Sequence, residues 1–365
     1  MGGTERMILF LVESLDPAQF QPYAGALIGS GELVERAAPY CRATRHFRFR
    51  NALDPGGFLR LVRFIRQHEI DLVQTYGLRA DTVGRLAARL GGASVVFSSI
   101  RSIDPWRKPH HTMLDRLTSS MVDLWVANSQ AGRQATVTRE KYPVGRIEVV
   151  YSGLSAREIP VAQRSELRLK YGLGPEDYPV IGVLANLRDM KGHCDIIKAL
   201  PGIRDKLPRA IFLFAGRDDS EGRIAQLAVQ YAVADSIRFL GYVRETHELL
   251  AIMDVFMLPS HWEGLPASVL EAMHAGLPII TTRVGGIPEL VRDHQEALLI
   301  EPSDPAAIEH AVTAMTEDSE LRDRLSTAAH SRAISEFSSA HMADRMQHLY
   351  LQWLNRKAKR PRHAQ

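Results

Sequence analysis

Residues 258–291 read LPSHWEGLPASVLEAMHAGLPIITTRVGGIPELV and combine the end of a strand, a loop and the start of a helix. The apolar run DVFMLPS at 254–260 predicts a buried strand. Leu265, Val269 and Met273 recur every fourth residue, which predicts one apolar face of a helix. The N–H groups and positive dipole end at the start of such a helix attract phosphate. This stretch therefore predicts an α/β fold with an anion site after a strand.

Two glutamates flank the start of the predicted helix. Glu263 precedes the helix and Glu271 lies inside it, so the two are separated by about 12 Å along the axis at 1.5 Å per residue. Carboxylates accept hydrogen bonds from neighbouring hydroxyls, as in ribose recognition, and Gly264 permits close approach of the backbone. The arrangement suits a ligand with hydroxyl-rich ends and a charged middle, such as a nucleotide-diphosphate sugar.

The stretch as a whole resembles the signature of retaining glycosyltransferase family 4, which has the GT-B fold and two glutamates eight residues apart. The matching elements are Pro259-Ser260, Glu263-Gly264-Leu265-Pro266, Glu271-Ala272-Met273, Ala275-Gly276-Leu277-Pro278 and Gly285-Gly286-Ile287-Pro288-Glu289. The resemblance implies that Glu271 holds the donor ribose and that Glu263 contacts the donor sugar. It also implies that the amides of Gly264 and Leu265 contact the sugar or the diphosphate.

Two cations lie before a predicted helix in VLANLRDMKGHCDIIKAL, residues 183–200. Positive charge here would neutralise a diphosphate and stabilise the departing nucleotide. The family commonly places its arginine at the position of Asn186, whereas this chain has Arg188 and so resembles a variant of the motif. The resemblance implies that Arg188 and Lys191 act on the donor phosphates. The candidate catalytic residues are therefore Glu263, Arg188 and Lys191.

Short β-branched runs alternate with amphipathic helices along the chain, which predicts β-α units and parallel sheets. The length of 365 residues allows two domains. We expect an N-terminal domain over 1–155, a donor-binding domain over 156–340, and a last helix with a basic tail over 341–365. The resemblance implies two Rossmann-like doubly wound domains facing a central cleft, with the acceptor on the first. It also implies a last helix that crosses back to the N-terminal domain, although its apolar stripe also fits a membrane surface.

The first residues, Gly2 and Gly3, precede a predicted helix over 4–15. They resemble the family's glycine loop, which implies contact with the donor phosphates and the acceptor. A doubly wound domain usually has a strand before this loop, but the first clear strand is QPYAGALIG at 21–29. Either the start is misassigned or the domain lacks its usual first strand. We expect an upstream-extended form to be more soluble and more active.

Charge is unevenly distributed along the chain. Residues 1–152 hold 20 Lys and Arg against 14 Asp and Glu, whereas the net charge of the whole chain is only +3. A basic N-terminal half would suit an anionic membrane surface or a phosphorylated acceptor. A solvated arginine-rich surface explains the same composition. No apolar run of membrane-spanning length and no signal peptide is present, so we expect a cytoplasmic protein, peripheral on the inner face of the membrane.

The resemblance implies a retaining transfer of sugar from a nucleotide-diphosphate sugar to a hydroxyl of a cell-surface glycan or lipid-linked acceptor. Relatives often place a histidine where this chain has Tyr76-Gly77, so no catalytic histidine is assigned. We expect no cofactor, no metal requirement and no nucleic-acid partner. A catalytically silent GT-B-shaped binding subunit and another GT-B enzyme, such as a sugar-nucleotide epimerase or a phosphorylase, are the alternatives.

Overall fold

The computed structural model describes residues 3–29, 31–51, 54–102, 109–155 and 163–359. The strands are β1 (Tyr23–Ala26), β2 (Ala43–His46), β3 (Leu72–Tyr76), β4 (Val95–Ile100), β5 (Leu124–Ala127), β6 (Ile147–Val149), β7 (Val180–Leu184), β8 (Ile211–Ala215), β9 (Ile237–Gly241), β10 (Val255–Leu258), β11 (Ile279–Thr282) and β12 (Leu298–Ile300). The helices are α1 (Gly3–Ser14), α2 (Glu32–Ala37), α3 (Pro55–Gln67), α4 (Leu78–Gly91), α5 (Pro109–Ser119), α6 (Gln130–Glu140), α7 (Arg164–Lys170), α8 (His193–Lys206), α9 (Arg223–Gln230), α10 (Thr246–Ile252), α11 (Ala267–His274), α12 (Ile287–Leu290), α13 (Pro305–Glu317), α14 (Ser319–Glu336) and α15 (Ser339–Ala358).

The chain divides into two compact units. The first unit contains Met1–Gly153 together with Ser339–Gln365, and the second contains Leu154–Ser338. Every pairing between named strands is parallel. Parallel strands need crossover connections, and helices supply them in both units. The predicted α/β class with parallel sheets is therefore confirmed.

The second unit has one six-stranded sheet in the order β12-β11-β10-β7-β8-β9. Strands β7, β8 and β10 are buried along their full length, as expected for strands covered by helices on both faces. The order reverses between β7 and β10, since the chain builds outward from β7 in one direction and then outward from β10 in the other. A crevice at the carboxyl ends of such strands is the usual ligand site of a doubly wound sheet.

The first unit has two separate parallel sheets, β1-β2 and β3-β4-β5-β6. Helix α3 begins at a proline capped by Asp54, whose side chain accepts a hydrogen bond from the amide of Gly57. This is the cap and first-turn proline that the sequence predicts. Within the described residues, β1 and β3 each pair with a strand on only one side. The first unit therefore differs from the single continuous sheet of a standard doubly wound domain.

The last helix, α15, packs in the core of the first unit. Its buried stripe contains Met342, Met346, Leu349 and Tyr350, which cluster with residues of α1, β4 and β5. The ring of Tyr350 lies 5.6 Å from that of Phe97 on β4. Because this stripe is already buried against the protein, it does not supply the membrane-facing surface that its pattern alone permits.

Candidate functional site

The predicted donor residues meet at the point where the strand order of the second unit reverses. Lys191 follows β7, and Glu263 follows β10, so the two neighbouring strands carry them to the same edge of the sheet. The Nζ atom of Lys191 lies 2.5 Å from Oε1 of Glu263. Residues that are 72 positions apart in sequence thus form one ion pair at the expected ligand-binding edge.

Glu263 is held in place by its surroundings. Its side chain is buried, and Oε1 also accepts a hydrogen bond of 2.7 Å from the hydroxyl of Ser260. A buried carboxylate needs such partners, because an unpaired charge away from water is costly. The backbone carbonyl of Ser260 accepts a hydrogen bond from Thr282 on β11, which anchors this loop to the next strand. The Pro259-Ser260 part of the motif therefore positions the carboxylate.

Two glycines allow the surrounding loops to approach closely. Gly192 has φ of 74°, and a Cβ atom there would lie 2.0 Å from the carbonyl oxygen of Pro259. Gly285 has φ of 54°, and a Cβ atom there would lie 1.9 Å from the carbonyl oxygen of Glu263. Only glycine fits such contacts and such left-handed backbone without strain. These two positions bring the Lys191 loop and the Gly-Gly loop against the Glu263 loop.

Glu271 lies on α11 and is half-buried. Its Oε2 accepts a hydrogen bond of 2.9 Å from the hydroxyl of Thr246 at the start of α10. Gly264 and Leu265 are buried in the loop before α11, and the carbonyl of Gly264 accepts a hydrogen bond from the amide of Gly286. The structure thus places the whole Glu-Gly-Leu-Pro segment between β10 and α11, as the sequence predicts.

The sequence groups Lys191 with Arg188, but the side chain of Arg188 contacts a different loop. Its Nε atom donates to Oδ2 of Asp219 at 2.6 Å, and its side chain is half exposed. Asn186 contacts the same carboxylate at 3.3 Å. Arg188 therefore faces the loop after β8, whereas Lys191 faces the loop after β10.

A histidine that the sequence reasoning did not single out lies beside this site. The Nε2 atom of His261 is 2.6 Å from Oδ2 of Asp195, which is buried on α8. The backbone amide of His261 also donates to the carbonyl of Met190 at 2.8 Å. Its place directly after Pro259-Ser260 was the available signal. The pair ties the Glu263 loop to the start of α8.

His193 is the first residue of α8 and is fully buried. Burial, followed by the nearby positive charge of Lys191, lowers the pKa of His193 to about 4. Its ring packs edge-on against Phe214, with centroids 4.9 Å apart. The imidazole is therefore neutral at ordinary pH and acts as part of the packing beneath Lys191.

The remaining sequence-predicted residues lie in the first unit. Gly3 is the first residue of α1, while Gly2 lies outside the described residues. Tyr76, which stands where relatives often have histidine, ends β3. Burial raises the pKa of Tyr76, while the charge of Arg101 and a hydrogen bond to Ser99 oppose this rise. A polar cluster thus lies at the carboxyl edge of β3 and β4.

No group of three or more His, Cys, Asp or Glu side chains in the described part of the chain could hold a metal ion. None of the described helices is both long enough and apolar enough to cross a bilayer.

The second unit is a doubly wound parallel sheet with an ion pair at its strand-order reversal, and the family models that match this chain describe glycosyltransferases. Two family models divide the chain. "Glycosyltransferase Family 4" matches residues 1–158, and "Glycosyl transferases group 1" matches residues 167–332. The chain belongs to glycosyltransferase family 4.

Similar proteins include a GDP-mannose-dependent alpha-(1-6)-phosphatidylinositol monomannoside mannosyltransferase of Mycobacterium tuberculosis. It is 31% identical over 79% of this chain and 77% of that protein. Glycogen synthase of the same organism is 27% identical over 78% of this chain, which spans 64% of the synthase. The crystal structure of Anabaena HepE in complex with UDP-glucose has a TM-score of 0.83 and 20% identity, covering 96% of each chain. This last likeness shows the fold.

Proposed function

We propose that the enzyme transfers a sugar, with retention of anomeric configuration, from a nucleotide-diphosphate sugar to a hydroxyl of a cell-envelope glycan or lipid-linked acceptor. The observation that carries this proposal is the contact between Lys191 and Glu263 at the strand-order reversal. The solved relative that binds UDP-glucose and the GDP-mannose-dependent relative support a nucleotide-sugar donor.

Each residue has a role in this proposal. Glu271 binds the ribose hydroxyls, and the amides of Gly264 and Leu265 hold the sugar or the diphosphate. Lys191 turns from Glu263 to the diphosphate when the donor enters, which frees the Glu263 carboxylate to bind sugar hydroxyls. Arg188 would need to leave Asp219 to join Lys191. The two cations would then stabilise the negative charge that develops on the departing nucleotide.

The reaction is a front-face displacement. The acceptor oxygen attacks the anomeric carbon on the face from which the nucleotide diphosphate leaves, so the new bond has the same configuration as the old one. The bond between the anomeric carbon and the phosphate oxygen breaks, and the acceptor proton passes to that phosphate oxygen. Lys191 and Arg188 replace a metal in stabilising the leaving group, so turnover should persist in the presence of a chelator.

The first experiment is a screen of nucleotide sugars by calorimetry, followed by proton NMR of the transfer product. We expect one donor class to bind with the affinity of its free nucleoside diphosphate or better. The anomeric configuration of the product should equal that of the donor. Inverted product would disprove the front-face mechanism, and failure of every nucleotide sugar to bind would disprove the donor assignment.

The acceptor end of the proposal depends on the first unit. Residues 1–152 hold 20 Lys and Arg against 14 Asp and Glu. This excess of positive charge supports an anionic surface as partner. Association with anionic vesicles should therefore weaken as ionic strength rises. Vesicle binding that ignores both lipid charge and salt would count against this part of the proposal.

A further inference from the structure

A pocket lies in the first unit, at the carboxyl end of β2. It has a volume of about 760 Å³ and is lined by the last residues of β2, by the segment after it and by the first two turns of α3. Its charged lining residues are Arg45, Arg48, Arg50, Arg60 and Asp54. Four guanidinium groups against one carboxylate make this pocket strongly positive, and the amino end of α3 adds to that potential.

Most of this positive charge is not neutralised by the protein. Across the described residues, the guanidinium groups of Arg45, Arg48 and Arg50 form no ion pair, and all three side chains are exposed. Arg60 alone approaches Asp54, at 3.9 Å. Hydrogen bonds from the amides of Gly57 and Arg50 lower the pKa of Asp54, so it is a carboxylate occupied in capping α3. The pocket therefore presents arginines that are free to bind an anion.

The segment that carries these arginines is anchored from beneath. Phe47 and Phe49 alternate with the arginines and are buried in one aromatic cluster with Phe64 of α3. Gly25 and Gly57 leave room for these rings, because a Cβ atom at either position would lie 2.9 Å from a ring carbon. The backbone at Phe47 and Phe49 also donates hydrogen bonds to β1 and to Leu27. The arginine side chains thus project from a fixed scaffold, which reduces the ordering cost of binding.

Arg48 adds a further sign of a specialised segment. Its φ of 51° lies in the left-handed region, which costs a non-glycine residue free energy and is common where a binding surface is held in shape. His46 also lines the pocket, and its Nε2 atom makes no hydrogen bond within the described structure. The pocket therefore offers planar guanidinium donors together with an imidazole.

We propose that this pocket binds a phosphate or diphosphate group carried by the acceptor. Guanidinium groups match phosphate oxygens through paired hydrogen bonds, and several together suit a multiply charged group better than a single carboxylate. The identification of the ligand as an acceptor rests on the proposed function, whereas the binding of an anion in the pocket does not. Anion binding by the pocket can be measured whether or not sugar is transferred.

The test is calorimetric titration of the full chain with inorganic pyrophosphate. Saturating UDP and GDP are present throughout so that the donor site is filled. We compare wild type with Arg48→Gln/Arg50→Gln and with Arg63→Gln, an exposed arginine on the same helix as Arg60 that lies outside the pocket. We expect the double variant to bind pyrophosphate at least about tenfold more weakly, with Arg63→Gln unchanged. Melting curves of all three proteins check folding.

The outcome of this titration, together with vesicle binding and competition, decides between the competing explanations. Equal pyrophosphate affinity in the double variant and wild type would overturn the proposal, as would a failure of wild type to bind pyrophosphate while UDP and GDP fill the donor site. If phosphatidylglycerol vesicles bound wild type more tightly than the double variant while pyrophosphate bound both equally, the arginines would form a general membrane surface instead. Vesicles carrying a diphosphate lipid and a soluble sugar phosphate are each tested as competitors of pyrophosphate. The compound that competes identifies whether the phosphate group belongs to a lipid or to a free sugar.

Discussion

At the scale of single residues, the proposed donor site is arranged around an ion pair between two of its own side chains. Lys191 and Glu263 satisfy each other, and Ser260 supplies a further hydrogen bond to Glu263. A lysine left unpaired at this half-buried position would be costly, and so would the buried glutamate. The pair therefore holds both side chains in position.

Removing the charge of Glu271 and removing the charge of Lys191 should affect different steps of the reaction. We expect Glu271→Ala to weaken nucleotide binding by about 1.5–3 kcal/mol, the value of a hydrogen bond to a charged group. Lys191→Ala should mainly lower turnover, because the lysine acts on charge that develops as the nucleotide leaves. Calorimetry and steady-state kinetics separate the two effects. Glu317→Ala, at an exposed position on α13, is the control, and wild-type turnover in both site variants would refute the site.

At the scale of secondary-structure elements, the site depends on three loops that approach within contact distance. Gly192 lies between Lys191 and α8, and its left-handed backbone lets the lysine loop meet Pro259. Gly285 also has a left-handed backbone, which lets the loop after β11 approach the carbonyl oxygen of Glu263. The His261–Asp195 contact joins two of these loops by their side chains.

A methyl group at Gly192 should separate the loops. Gly192→Ala introduces both an unfavourable φ and a collision with the carbonyl of Pro259, so we expect a loss of stability above the roughly 1–3 kcal/mol of backbone strain alone. Nucleotide binding should fall with it. Gly172→Ala is a matched control, since Gly172 has φ of 70° and no atom within 4 Å of the added methyl group. Equal destabilisation of the two variants in urea would show that the close approach has no effect.

At the scale of the whole molecule, stability should depend on pH through a buried imidazole. Burial lowers the pKa of His193 to about 4 from an ordinary value of 6.5, so the unfolded chain binds this proton first as pH falls. The stabilising contribution is complete above pH 6.5 and is lost as pH falls towards 4. His274, whose pKa is also lowered by burial, acts in the same direction.

Urea unfolding measured between pH 7.5 and 4 tests this dependence. We expect the second unit to lose up to about 3 kcal/mol over that range through His193. His193→Leu fills a similar volume beside Phe214 and cannot titrate, so its stability should fall less steeply than that of wild type. Parallel curves for the two proteins would show that carboxylates alone cause the acid sensitivity.

The sequence alone determined the fold class and most strands, because the signals are local. Apolar runs at 180–186, 210–216 and 254–260 lie on β7, β8 and β10. The segments ATRH of β2 and LLI of β12 are too short to show a period, so neither strand is predicted from the sequence. The resemblance to the family's motifs likewise predicts that Glu263, Glu271 and Lys191 lie near one ligand.

Only the tertiary structure decided how distant segments meet. Sheet order places β7 beside β10, and this adjacency joins Lys191 to Glu263 across the sequence. The same long-range packing turned Arg188 towards Asp219 and brought Arg60 of α3 beside Arg45, Arg48 and Arg50, which are already neighbours in sequence. A periodic pattern reports which face of an element is buried, but the partner across that face depends on packing between elements. The composition therefore indicated an excess of positive charge, and the fold placed part of it around one pocket.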